Sequence, residues 1–306
     1  MKYTLKQLRY VEATGRLGSI ANAATEQSIS QSSITAAIDA LEERLGYDLF
    51  VRTPAKGIQL TPSGTEALRI IKGFVDHSRH FEAELESIGG TTTGSIRIAC
   101  YATTAPSFLP PILKTFTQSH PEISIKLLEG NMEATMEFLA NGEADLAFTY
   151  DEVVDSSQNF VPLFGAPPYA LLSADDPLAK SRTVSFAELS ERPMIMLDLP
   201  RTRDYFTGMF SKQGLRANIV HSTRSAEITR TLVAAGYGYS ILNILPPDYR
   251  ADDERFRVVP IRDDITVPVF GIATQASARQ PLLVTSFIDQ CLELSRNGEF
   301  DAIVVN

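Results

Sequence analysis

The residues best placed to do chemistry in this chain are hydroxyls, amides and guanidiniums rather than nucleophiles or metal ligands. Ser30-Gln31-Ser32-Ser33 and Thr35 crowd hydrogen-bonding groups into one short stretch. Such groups can bond adenine, exchange hydrogen bonds with other base edges and touch a thymine methyl. Further on, Arg52 and Lys56 flank the turn of YDLFVRTPAKGIQLT and offer point charges of the kind that grip phosphates and set register. A second set gathers in loops that follow apolar runs: Tyr101, Thr103 and Thr104, then Asn131, Asp151, Leu199, Pro200, Arg201, Thr202, Arg203, Thr223 and Arg224. Arginines facing hydroxyls across a cleft suit a small carboxylate, which a guanidinium holds with two parallel hydrogen bonds. Glu129, Asp151 and Asp198 lie close by in sequence and would hold an amine, so a zwitterion such as an amino acid is the second choice.

Other chemistry finds little support. The Gly236-Tyr237-Gly238 run is not a dinucleotide fingerprint, and neither a phosphate loop nor a GxSxG elbow occurs. His77 and His80 with Glu84 supply too few ligands for a closed metal site. No enzyme activity, cofactor or metal is therefore expected. Cys100 and Cys291 are far apart, without CxxC spacing, and read as buried reduced thiols. No run of about 18 apolar residues exists, and MKYTLKQLRY lacks the apolar core of a secretory signal, so a cytoplasmic protein that meets no membrane is expected. The formal charge of -9 is uneven: residues 1–60 carry seven Lys/Arg against six Asp/Glu, residues 91–306 carry 18 against 26. That asymmetry points the N-terminal piece toward a polyanion.

The elements that position these groups follow from periodicity. Leu5, Leu8, Tyr10, Val11 and Ala13 fall at helical spacing, ending near Gly15 or Gly18. Ser19 can cap IANAATEQ, and Ser30 can cap a third helix whose Ile34, Ile38, Leu41 and Leu45 form one stripe ended by Gly46. Two helices joined by so short a turn make a helix-turn-helix, with Gln31, Ser32, Ser33 and Thr35 facing the major groove. Leu49–Arg52 and Gly57–Leu60 read as two strands of a wing. Asp39, Glu42 and Glu43 would occupy a solvated face. Thr61-Pro62 then starts a helix that runs to Ile88, with Ala67, Ile71, Phe74, Ser78, Phe81, Leu85 and Ile88 as a heptad seam that calls for a partner helix. After GTTTG, runs such as SIRIAC, ISIKLLE, ADLAFTY, YALLS and PMIMLD alternate with helical stretches, the grammar of two α/β units.

The residues Gly18-Ser19, Ala23-Ala24, Ser30-Gln31-Ser32, Leu41-Glu42, Leu45-Gly46, Leu49-Phe50, Arg52, Leu60-Thr61 and Gly64 fall in the order and spacing of the LysR-type transcriptional regulators. Later matches are Gly94-Ser95-Ile96-Arg97-Ile98, Asp145-Leu146-Ala147, Asp176-Pro177-Leu178-Ala179 and Val233-Ala234-Ala235-Gly236, so the chain resembles that family over nearly its whole length. The resemblance implies an α/β protein with a winged helix-turn-helix at residues 1–60 and a dimerisation linker helix at 61–89. A two-lobed, periplasmic-binding-protein-like effector domain would occupy 90–306. Its first lobe would take 91–162 and 268–306, its second 163–267, with the loop residues named above around the cleft. It further implies an imperfect inverted-repeat operator in double-stranded DNA, a small-molecule effector, a homotetramer built from dimers and contact with RNA polymerase. A peroxide-type redox sensor of the same family is the alternative and would need two nearby reactive cysteines. Two departures stand out: Ala36 and Ala37 replace the family's frequent long polar residues, and Asn243 stands where a strand commonly ends in proline.

Overall fold

A computed structural model describes residues 3–53, 57–87, 94–250, 254–276 and 280–305. The chain divides near residue 91 into two compact units. Among the described residues, no helix is long and apolar enough to cross a membrane.

In the first unit, Thr4 opens α1 (Leu5–Leu17) with a capping box: its hydroxyl accepts from the Gln7 N–H while the Gln7 side chain accepts from the Thr4 N–H. Ser19 caps α2 (Ile20–Glu26), and Ser30 caps α3 (Gln31–Leu45) by accepting from the Ser33 N–H. α1 and α3 each end on a left-handed glycine, Gly18 and Gly46, as the punctuation predicted. Leu8, Val11, Ala13, Ala23, Ala24, Ile34, Ile38 and Leu41 pack into one core. The small Ala23 and Ala24 let α2 sit close to its neighbours, and each buried Ile or Leu contributes about 2 kcal/mol. Arg16 ties α1 to α2, donating to Glu12 at 3.0 Å and Glu26 at 2.5 Å.

Strands β1 (Phe50–Thr53) and β2 (Gly57–Leu60) pair antiparallel, Phe50 opposite Leu60, one residue later in start than the alternation suggested. Glu42 is the reason the hairpin leaves α3 where it does: its Oε1 accepts from the Leu49 N–H at 2.6 Å and the Phe50 N–H at 2.9 Å. The expected solvated face is thus corrected at this position, since two N–H groups that lack helical partners are satisfied by this carboxylate.

Thr61 caps α4 (Pro62–Ser87), accepting from the Gly64 N–H at 2.8 Å and donating to the Asp48 carbonyl at 2.7 Å. The expected seam splits between two faces. Ala67 and Ile71 join Val75 in the core, whereas Ile70, Phe74, Phe81 and Leu85 are exposed. The bound face keeps i, i+4 spacing near the core, and the exposed row begins at Ile70 rather than Ala67; Ile88 lies outside the described residues. Arg9 anchors α1 to α4 by donating to both carboxylate oxygens of Glu82 at 2.8 and 2.9 Å.

Among the described residues the second unit holds three sheets, of five, three and two strands. In the first, β3 (Gly94–Tyr101) pairs parallel with β4 (Ile123–Gly130) and β5 (Leu146–Tyr150), whose connections carry α5 (Ala105–Ser119) and α6 (Met132–Ala140). β6 (Gln158–Gly165) lies at the far edge, so the chain leaves this sheet after Gly165 rather than after residue 162. The second sheet begins with β7 (Tyr169–Ser173). Then come α7 (Phe186–Ser190), β8 (Pro193–Leu197), α8 (Thr202–Lys212), β9 (Asn218–Thr223), α9 (Ala226–Ala234), β10 (Ser240–Leu242) and β11 (Phe256–Pro260); β10 and β11 flank β7, while β8 and β9 form the third, parallel sheet. β12 (Val269–Gln275) returns between β5 and β6, antiparallel to both, and α10 (Leu282–Arg296) follows. Period-2 alternation sorts the first sheet's faces: Ile98, Cys100, Leu146, Phe148 and Ile272 meet α5 and α10, while Ala99, Ala147 and Ala273 meet α6 across small side chains. Gly238 has a packing role, since a Cβ there would lie 2.3 Å from the Pro193 carbonyl oxygen.

Gly64 sets the hardest local constraint in the first unit, because a Cβ would fall 1.9 Å from the Leu49 carbonyl oxygen. Gly64→Ala should destabilise the chain by about 3 kcal/mol, measurable as a lower urea midpoint, since the backbone contact has no side chain to swing away.

Candidate functional site

Two places could do chemistry, one in each unit. In the first, α3 presents Gln31, Ser32 and Ser33 as exposed side chains at its capped end, with Thr35 partly exposed behind them. The Ser30 hydroxyl lies 2.8 Å from the hydroxyls of both Ser32 and Ser33, so these three hydroxyls brace one another. Gln31 makes no side-chain hydrogen bond among the described residues, and its amide is free to donate and accept. Buried Ile34, Ile38 and Leu41 fix the helix from behind, and Ala37 is buried whereas Ala36 is exposed. The backbone of Arg52 lies in β1 opposite Ile58. Its side chain and all of Lys56 lie outside the described residues.

In the second unit a small cavity of about 50 Å³ opens between the sheets. Tyr101 comes from the end of β3, Thr103 and Thr104 from the start of α5, Tyr150 from the end of β5, and Thr202, Tyr205 and Phe206 from the first turns of α8. Ala226 and Arg230 share one face of α9 at i, i+4, and Leu242, Asn243 and Ile244 close the far wall. The Tyr101 phenol lies 3.0 Å from the Thr202 hydroxyl, a buried bond that joins the end of β3 to the start of α8. Asn243 donates through Nδ2 to the Ala166 carbonyl at 2.8 Å and to the Tyr205 phenol at 3.0 Å. Burial raises the pKa of Tyr101, Tyr150 and Tyr205, so all three remain neutral hydroxyls. Glu152, an exposed residue at the rim, is raised by loss of solvent first and by Asp151 second, with Lys212 opposing.

Of the residues expected here, Tyr101, Thr103, Thr104 and Thr202 line the cavity. The others have different places. Asn131 caps α6, its Oδ1 accepting from the Ala134 N–H at 2.9 Å, and Asp151 accepts from the Val269 N–H at 3.0 Å. Arg203 is held by Asp198 through two bonds of 2.7 Å, which also hold the Asp198 carboxyl below its ordinary value. Leu199 is buried, Pro200, Arg201 and Arg224 are exposed, and the Thr223 hydroxyl accepts from the Ser225 N–H. Arg201 sits at φ 64, a left-handed conformation that turns the chain into α8. The arginine that lines the cavity is Arg230, whose guanidinium pairs with Glu227. It lies outside the loops that follow strands and so escaped that rule, although its spacing from Ala226 placed both on one face of α9. Tyr150 and Tyr205 lie outside those loops for the same reason, being the last residue of a strand and a helix residue, whereas Asn243, already marked in the sequence as a departure, follows β10 directly.

Cys100 and Cys291 are both fully buried. Burial pushes the Cys100 thiol up to about 11, with Glu129 adding to it, and raises Cys291 further. Neither has the electropositive, accessible setting that makes a thiolate reactive.

A helix-turn-helix head with a capped recognition helix and a two-lobed α/β unit closing on a small cavity define a ligand-responsive DNA-binding protein. Residues 5–65 match the bacterial regulatory helix-turn-helix proteins of the lysR family, and residues 89–296 match the LysR substrate binding domain. The chain belongs to the LysR family of transcriptional regulators. HinK, a LysR family regulator from Pseudomonas aeruginosa, is 32% identical, with 95% of this chain and 98% of its own covered and a TM-score of 0.62. The RuBisCO operon transcriptional regulator of Allochromatium vinosum is 29% identical over 245 residues, 80% of each chain. A full-length OxyR variant from Pseudomonas aeruginosa, at 20% identity over 94% of this chain and 97% of its own, shares the fold with a TM-score of 0.74. The relatives are transcriptional regulators, so this chain is a DNA-binding regulator with an effector-binding domain and not an enzyme.

Because the Tyr101–Thr202 bond is buried, Tyr101→Phe and Thr202→Val should each lower stability by about 1 kcal/mol. The double substitution should cost clearly less than the two separately, since the second removes a group already left unpaired. Strict additivity in urea unfolding of the full chain would show that the hydroxyls do not work as a pair.

Proposed function

We propose that the cavity binds a small organic acid and that its occupancy sets how the chain acts on DNA. The observation that carries this reading is the convergence of Arg230 with the starts of three helices, at Thr104, Thr202 and Ala226. Helix starts carry partial positive charge and N–H groups without helical partners, and a guanidinium can grip a carboxylate with two bonds. α5 and α8 begin without a side-chain cap; Pro106 has no N–H, and the Ser107 and Arg203 N–H groups donate to the Thr104 and Leu199 carbonyls, so these starts offer a ligand chiefly their partial positive charge. Glu152 at the rim favours the second reading, in which the acid also carries an amine. Screening small acids against the full chain by thermal shift tests the class: an acid at 100 times its Kd should stabilise by about 2.7 kcal/mol. Arg230→Ala should abolish that gain while Arg224→Ala leaves it intact. Retention of the gain in the Arg230 variant would defeat the assignment.

For the DNA end, Gln31, Ser32, Ser33 and Thr35 would read base edges, and Arg52 and Lys56 would clamp phosphates. The exposed row Ile70, Phe74, Phe81 and Leu85 is an apolar face suited to the α4 of a second copy, giving a dimer that meets both halves of an imperfect inverted repeat. Pairing of dimers into a tetramer, altered by the effector, would shift the heads along the DNA and change access for RNA polymerase. Gln31→Ala should cost about 1–3 kcal/mol on the preferred sequence and relax discrimination, whereas Arg52→Ala should weaken all sequences alike and flatten the salt dependence. Binding titrations at several salt concentrations distinguish the two. Equal losses on every sequence from both changes would refute the division between reader and clamp.

A further inference from the structure

Asn243 is about nine-tenths buried and lines the cavity. Its amide orientation is settled by chemistry, because the Ala166 carbonyl can only accept and so must face Nδ2. The same Nδ2 also donates to the Tyr205 phenol, which fixes that ring as a wall. The amide oxygen has no partner among the described residues, yet it belongs to a side chain on the cavity surface. Around it the cavity is rich in groups able to donate, Arg230, Tyr101, Tyr150, Thr103, Thr104 and Thr202, with the Glu152 carboxylate at the rim as a further acceptor.

From this we infer that Asn243 determines effector specificity, and that the preferred effector is a small carboxylate bearing a hydrogen-bond donor, a hydroxyl or an ammonium, which the Asn243 amide oxygen accepts. The inference rests on the acid-binding reading of the cavity. An acid without such a donor would leave a buried acceptor desolvated and unpaired, and a site built to bond a polar group discriminates against analogues that lack it. The small volume favours few heavy atoms.

The test uses three acids on one carbon skeleton, propionate, lactate and alanine, titrated calorimetrically against the full chain. Wild type should bind lactate or alanine about tenfold more tightly than propionate, the effect of one added hydrogen bond. In Asn243→Leu, which removes both amide functions at similar size, that preference should fall to about one. Tyr205→Phe removes only the phenol that shares Nδ2 and should keep the preference, so a poorly folded Leu variant does not decide the matter alone. Asn243→Asp separates the two donor types: the ratio of alanine to lactate affinity should rise if the ammonium is the recognised group and not if the hydroxyl is. Equal affinity of wild type for propionate and its two analogues, or a preference that survives in Asn243→Leu, overturns the role of Asn243 and leaves the acid reading standing. Binding of none of the three, in wild type at millimolar concentration, overturns both.

Discussion

Each helix begins with N–H groups that the helix itself cannot pair, and the way this chain answers that need divides scaffold from site. Across the first unit the answer is a hydroxyl: Thr4, Ser19, Ser30 and Thr61 each accept from an N–H in the following turn. The same solution recurs at Ser185 and Ser225 in the second unit. α5 and α8 lack a side-chain cap, and both border the cavity. α10, which follows Pro281, also begins without one, so the uncapped start has meaning only where other polar groups converge on it. At the cavity they do, since Tyr101, Thr202 and Arg230 meet there.

The capped starts explain why the first unit was so legible in its sequence. Hydroxyl, apolar stripe and terminal glycine are local signals, and α1, α2, α3 and the wing follow them closely. What could not be read was anything depending on a partner distant in the chain. Glu42 looks like a surface acid by its neighbours in sequence, but it accepts from Leu49 and Phe50 once the hairpin folds back. The α4 seam failed for a similar reason: heptad spacing alone cannot say which of two apolar rows the core takes, and Ile71 and Val75 are taken while Phe74 is left exposed.

In the second unit the rule that ligands gather beyond the ends of parallel strands points to a set of loops, and only part of that set meets at the cavity. Tyr101, Thr103, Thr104 and Thr202, at strand ends or helix starts, line it. The loop arginines do not. Arg203 is paired with Asp198 on the same turn, as Arg230 is with Glu227, and of the two Arg230 lines the cavity. The cation at the cavity instead stands one turn inside α9, where the helix's own rise carries it to the wall.

The cavity's chemistry also constrains what binding can achieve. A ligand entering between Tyr101 and Thr202 must replace a buried hydroxyl pair that already joins β3 to α8. Only what it adds beyond that exchange can shift the population of conformations, however tightly it is held. A carboxylate is well matched to the exchange, since it accepts from both hydroxyls where each could otherwise only share one bond with the other. The bridge between the lobes would then be kept, now running through the ligand and on to Arg230. On this view the effector does not pull open lobes together but changes the groups through which they are already joined, and the signal to the DNA-binding unit depends on the geometry of that new bridge.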